Sequence, residues 1–181
     1  TQREIVAGHF RRITPALQPV REKLAVAFKQ HYERWVTTEF DDSHWTSGRN
    51  GAGYENDSGY ESLISQPFDF KSEMHEKNSS VYLRIPFEIE DLGALMSAGD
   101  LVLKMKYDDG FVAYLNGHRV ASANAPKLLR WNSRATAGHD DPAAMQFESF
   151  NISDHRDKLR SGTNVLAIHG LNVNPESTDM L

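Results

Sequence analysis

The sequence predicts an all-β protein, an antiparallel sandwich or barrel, preceded by a helical segment. Three observations lead there. Apolar and polar residues alternate through several short runs from Ser80 onward. Tight-turn dipeptides, Asp109-Gly110 and Asn116-Gly117, punctuate those runs. No helical period separates them, so the crossover helices that a parallel βαβ sheet requires are missing.

Residues 1–38 are expected to be the helical segment and 39–181 the β domain. Val20, Leu24, Ala27, Phe28, His31 and Trp35 recur at spacings of three and four, which predicts an amphipathic helix from Pro19 to Trp35. Pro19 suits its first turn. "REIVAGHFRRI" predicts a shorter helix, with Thr14-Pro15 as the break. Past Trp35, "DDSHW" and "GRNGAGYENDSGYE" read as turns and short strands. The spacing of Gly48, Gly51 and Gly53 matches neither nucleotide-binding glycine pattern.

In "VYLRIPFEIE", Val81, Leu83, Ile85, Phe87 and Ile89 form one face of a half-buried strand. Pro86 cannot donate to a ladder, which places this strand at an edge or a bulge. "LVLKMKY" sets Leu101, Leu103, Met105 and Tyr107 on one face. Asn116-Gly117 supplies the two positive φ angles of a type I′ turn, so "FVAYLN" and "HRVASA" should be antiparallel neighbours. Asp109-Gly110 is a second turn or bulge, where carboxylates can accept from backbone amides. Adjacent residues of a strand point to opposite faces, so Asp108 and Asp109 should not act as a facing catalytic pair. "MQFESFNI" and "NVLAIHGLN" supply further strands, and the closing "STDML" reads as the start of another. The chain opens at Thr1 without Met and is expected to be a piece of a longer protein.

With 181 residues and 39% hydrophobic content, there is material for one globular domain with a real core. Lys+Arg 20 against Asp+Glu 25 gives a mixed surface with no basic stripe, which argues against nucleic acid as a partner. With 0 cysteines, disulfides, thiolate metal sites and a cysteine nucleophile are excluded. No apolar run approaches the roughly 18 residues of a membrane span, so no membrane insertion is expected. There is no zinc-type histidine spacing among the eight histidines, and no nucleophile-elbow motif. An enzyme is therefore not expected.

The stretch "LVLKMKYDDGFVAYLNGHRVA" resembles the core of galactose-binding-like jelly rolls, the domains that accompany glycoside hydrolases and large surface proteins of environmental bacteria. "FDDSHWTSGRNGAGYE" upstream and "SGTNVLAIHGLNVNPESTD" downstream look similar too, so the resemblance runs from about Phe40 to Leu181. It implies a jelly-roll β-sandwich in a secreted or cell-surface multidomain protein. The implied function is non-catalytic: a carbohydrate-binding or accessory module whose partners are a polysaccharide or glycan and the neighbouring domains of its own chain. The alternative is a structural or protein-interaction spacer with no sugar ligand. Calcium is the cofactor that the resemblance implies.

Sugar rings stack on aromatic faces while polar groups fix their hydroxyls, so aromatics on loops are the candidate binders. Trp131, flanked by Arg130 and Asn132 in a segment without period, is the first candidate. Tyr54 and Tyr60, either side of "ENDSG", are the second pair, whereas Trp45 is expected in the core. For a metal, Asp41 and Asp42 either coordinate calcium or cap a turn, and Asp140 and Asp141, after His139, either bind a divalent ion or form a solvated turn. His169 is expected as a hydrogen-bonded core or rim histidine, with Asp179 its partner if the last strand returns beside it. A shallow aromatic-lined groove would favour sugar binding, a large apolar patch a protein partner, and buried converging carboxylates an enzyme.

Overall fold

Asn116-Gly117 closes a two-residue hairpin between β4 (Gly110–Leu115) and β5 (His118–Ala123), with φ of 48° and 89° at the two turn residues. The asparagine does more than tolerate that backbone. Its Nδ2 donates to the Lys158 carbonyl and to Asn164 Oδ1, and its Oδ1 accepts from the Val165 amide, so the hairpin tip is tied to a third strand. The register shifts between Ala113 and Tyr114, which pair with Ala121 and Arg119 and leave Val120 as the extra residue of a bulge in β5.

That third strand is β7 (Gly162–Leu171), which lies between β4 and β2 (Ser80–Ile89) in an antiparallel sheet of order β2-β7-β4-β5. The order explains the sequence. The central strands β4 and β7 are buried on both faces and read as nearly continuous apolar runs. The outer strand β2 carries Pro86, whose missing N–H is harmless at an edge.

A second ribbon, β3 (Val102–Met105) with β6 (Glu148–Asn151), covers one face of this sheet. Leu103, Met105 and Phe150 from the ribbon meet Leu83, Phe111, Ala113 and Ile168 from the sheet, with Tyr107 between. Full burial of a side chain such as Phe111 stabilises by about 1.5–3 kcal/mol, so this interface is the main apolar contribution to the fold. The architecture is an antiparallel all-β sandwich. The opposite face of the sheet is covered by loops: Trp35 and Val36 pack on Val165, Ala167 and Tyr114, and Ala125, Leu129 and Ala135 pack on Val112 and Leu171. Among the described residues, three short α-helices, α1 (Lys71–Met74), α2 (Leu92–Ser97) and α3 (Asp141–Ala144), sit between strands. A last short pair, β1 (Tyr54–Glu55) with β8 (Asp179–Met180), closes one end.

This computed structural model describes residues 34–49 and 51–181. The chain divides into two units, Thr1–Arg34 and Trp35–Leu181. Trp35 and Val36 join the β unit because their side chains are part of its packing. The two expected helices lie outside the described residues, apart from Arg34 and Trp35, which stand in a 3₁₀ turn that ends at Val36.

Candidate functional site

Two places in the β unit carry more than packing. The first is an open groove of about 310 Å³ along the start of β2, lined by Trp45, Phe70, Glu73, Met74, Asn78, Ser80, Val81 and Tyr82. Its size is at the low end of the roughly 300–1,000 Å³ typical of small-molecule sites. Three aromatic rings and an exposed carboxylate share it.

Local structure positions each wall. Tyr82 stacks on its cross-strand partner His169 at 4.5 Å and makes a T-shaped contact with Trp35 at 4.6 Å. His169 is buried, its Nε2 hydrogen-bonded to Ser80 Oγ at 2.8 Å, and burial lowers its pKa to about 4, so the imidazole is neutral at physiological pH. Asp179, considered above as its partner, points to a different cluster. α1 presents Glu73, and Asn78 donates its Nδ2 to the Glu73 carbonyl at 2.8 Å. Trp45 is 36% exposed rather than in the core, because the "DDSHW" turn is carried on the sheet edge by Arg84. The Arg84 guanidinium pairs with Asp42 Oδ2 at 2.6 Å, donates to the Trp35 and Thr37 carbonyls, and lies over the Phe40 ring, which in turn packs on Trp45.

The sequence candidates for sugar contact divide. Trp131 is 57% exposed, and its carbonyl accepts from the Tyr82 hydroxyl at 2.6 Å, which holds its loop against a residue of the groove. Arg130 is exposed as well. Asn132 spends its Oδ1 on the Ser79 amide at 2.7 Å, a loop-fixing bond. Tyr54 and Tyr60 are each 0% exposed and offer no face to a dissolved sugar. The Tyr54 ring belongs to the cluster with Met74 and Met180, with its hydroxyl bonded to the Ser177 carbonyl and to Asn172. What reads as a polar loop is pulled inward because β1 pairs with β8.

The second place is a cluster of acids. One carboxylate oxygen from each of Asp108, Asp141 and Asp179 lies within 4.8 Å of the others. It is the single group of three metal-ligating side chains found among the described residues. Asp108 precedes β4, Asp141 opens α3 and Asp179 opens β8, and reciprocal backbone bonds between Asp108 and Leu181 bring the turn before β4 against the end of β8. No ion pair is formed by these three among the described residues. Burial, with the charges of Asp109 and Asp179 close by, holds the Asp108 carboxyl far above the usual carboxylate range, and burial with Asp141 nearby raises that of Asp179.

The alternation expected of Asp108 and Asp109 does not apply because both lie before the strand begins, and their carboxyls interact. Asp109 serves the backbone: Oδ1 accepts from the His139 amide at 3.0 Å and Oδ2 from the Val173 amide at 2.6 Å. His139 stacks on Tyr107 at 4.4 Å with its Nδ1 on the Tyr107 carbonyl. Of the four expected metal candidates, only Asp141 joins the cluster. Asp42 is committed to Arg84, Asp41 accepts from the Ser43 amide as a turn cap, and Asp140 uses its carbonyl to start α3. Spacing along the chain held no signal for Asp108 with Asp179, which stand 71 positions apart (179 − 108) and meet through the backbone bonds between Asp108 and Leu181.

No protein-family model matches this chain, and no curated protein does. Among solved structures, a Bacteroides uniformis β-glucuronidase is similar with a TM-score of 0.46 and 18% identity over 77% of this chain. B. uniformis β-glucuronidase 2 covalently bound to cyclophellitol-6-carboxylate aziridine is similar with a TM-score of 0.46 and 19% identity over 79% of this chain. A calcium-binding mutant of the same β-glucuronidase 2 gives a TM-score of 0.44 and 16% identity over 77%. This chain spans 13–14% of the length of those proteins.

Proposed function

We propose that this chain is a non-catalytic, carbohydrate-binding accessory module of a larger secreted or surface protein. The groove at the edge of β2 carries the reading. Trp45, Phe70 and Tyr82 offer flat apolar faces, and Glu73 and Asn78 offer polar groups beside them, the combination that stacks a sugar ring and fixes its hydroxyls. Trp131, whose carbonyl accepts from the Tyr82 hydroxyl, and Arg130 are exposed beside this groove and would add to the contact. The converging carboxylates do not favour an enzyme, because a glycosidase needs its acids on either side of the bound sugar and none of these three lines the groove. A structural calcium ion is part of the same reading. No helix among the described residues is long and apolar enough to cross a membrane.

A glycan array on the chain, with and without calcium, is the test. An open site of this kind should bind with a Kd of roughly 10 µM to 1 mM. Trp45→Ala should abolish binding in a chain that still folds cooperatively, with some loss of melting temperature from its contact with Phe40, and Trp131→Ala should weaken binding less. Absence of binding across a broad panel with calcium supplied would leave the spacer alternative in its place.

A further inference from the structure

We infer that Asp108, Asp141, Asp179 and the Tyr60 hydroxyl form a binding site for a hard divalent cation of calcium size. The inference locates the calcium ion of the proposed function, yet it uses no feature of the groove.

Tyr60 provides the observation that acids alone would not. It is 0% exposed, and its hydroxyl is buried without a hydrogen bond of normal geometry. That hydroxyl lies beside the Asp108 carboxyl, which clusters with those of Asp141 and Asp179. An orphaned buried hydroxyl costs about 1–3 kcal/mol, and converging carboxylates without a cation add repulsion to that cost. One proton would neutralise one charge of the cluster and leave the others facing each other. A dication neutralises two charges and accepts the hydroxyl oxygen as a ligand.

The donor set selects the class of ion. All four groups are oxygens, which suits calcium or magnesium and not the softer metals. Two oxygens across a calcium ion stand about 4.6–5.2 Å apart, twice the usual bond length, against about 4.0–4.2 Å across magnesium. The carboxylate oxygens all lie within 4.8 Å of one another, which does not exceed the span across calcium. Asp141 is exposed, so the ion has an entry side and room for water ligands. Bound there, it would join four segments distant in sequence: the loop after β1, the turn before β4, the start of α3 and β8.

The test is a calcium titration of the chelator-treated full chain, read by thermal melting and calorimetry in the absence of sugar. The melting temperature should rise by about 5–10 °C at a calcium concentration about a hundred times the Kd. Asp141→Asn is the first variant, because an exposed position tolerates it. It should weaken calcium binding at least tenfold and melt no lower than wild type without calcium, since it removes a repelling charge. Tyr60→Phe keeps the ring and its packing and should weaken calcium binding in the same assay. Three results overturn the inference. One is no heat and no shift up to about 10 mM calcium, above the roughly 0.1–1 mM constants of extracellular modules. The second is an equal calcium shift in wild type and Asp141→Asn. The third is an equal response to magnesium, which removes the size argument. Failure of sugar binding leaves this result untouched, and the reverse also holds.

Discussion

Asn164→Ala removes a side chain that the fold uses completely. Asn164 is 0% exposed at the entry of β7. Its Nδ2 donates to the Arg160 and Gly162 carbonyls at 2.7 and 2.9 Å, and its Oδ1 accepts from Asn116 Nδ2 at 2.7 Å and from the Arg160 amide at 3.1 Å. Each lost bond costs about 0.5–1.5 kcal/mol net, and more where the partner is left buried. Exposed Arg160 can recover water, whereas Asn116 Nδ2 keeps its bond to Lys158. Summed with these allowances, the loss is about 3–5 kcal/mol, or a fall in melting temperature of about 6–20 °C. Urea denaturation at constant slope measures it. A double-mutant cycle with Asn116→Ala should show a coupling of about 0.5–3 kcal/mol, because the two amides share one bond. A loss under about 1 kcal/mol, or strictly additive single effects, would refute the view that this pair of asparagines holds the hairpin tip to the central strand.

Other consequences can be checked in the same way. Asp42→Ala leaves the Arg84 guanidinium, whose side chain is 5% exposed, without its counter-charge. The cost should be about 1–3 kcal/mol, below the 3–5 of a fully buried pair because Asp42 itself is partly in water, and denaturant midpoints will show it. His169 has its pKa lowered from 6.5 to about 4 by burial, so the unfolded chain takes up this proton first. Its contribution is therefore full above pH 6.5 and is lost as pH falls from 6.5 to 4, by about 3 kcal/mol. The difference between the stability–pH curves of wild type and His169→Gln isolates it, and parallel curves would contradict it. At Gly170 an added Cβ would stand 2.8 Å from Val81 Cγ1 and 2.9 Å from Met180 Cε. Gly170→Ala should therefore destabilise by about 1–3 kcal/mol in thermal melts.

The strands were legible where local chemistry and tertiary role agree. Asn116-Gly117 is the clearest case, because the φ values that the hairpin needs are those that Asn and Gly supply most readily. Pro86 marked an edge strand, and Leu103, Met105 and Tyr107 marked a buried face, through the same agreement. The candidate sites were harder to read because closure decides them. Tyr54 and Tyr60 sit among Asn, Asp, Ser and Gly and look exposed, but pairing of Tyr54 with Met180 turns the segment inward. Trp45 looks like core by residue type, yet its turn rides on Arg84 at the sheet edge, so the ring lines a groove. Asp108 and Asp179 meet through backbone bonds between the turn before β4 and the residue after β8, which no local pattern encodes.

The central claim is that the groove at the edge of β2 takes a sugar. Backbone amide NMR of the chain, titrated with an oligosaccharide that the array selects, tests it most directly. The account predicts dose-dependent shifts at Trp45, Phe70, Glu73, Asn78 and Tyr82, spreading to Trp131, with the β3–β6 ribbon unchanged. Shifts centred elsewhere on the β unit, with these residues silent at saturating ligand, would contradict it.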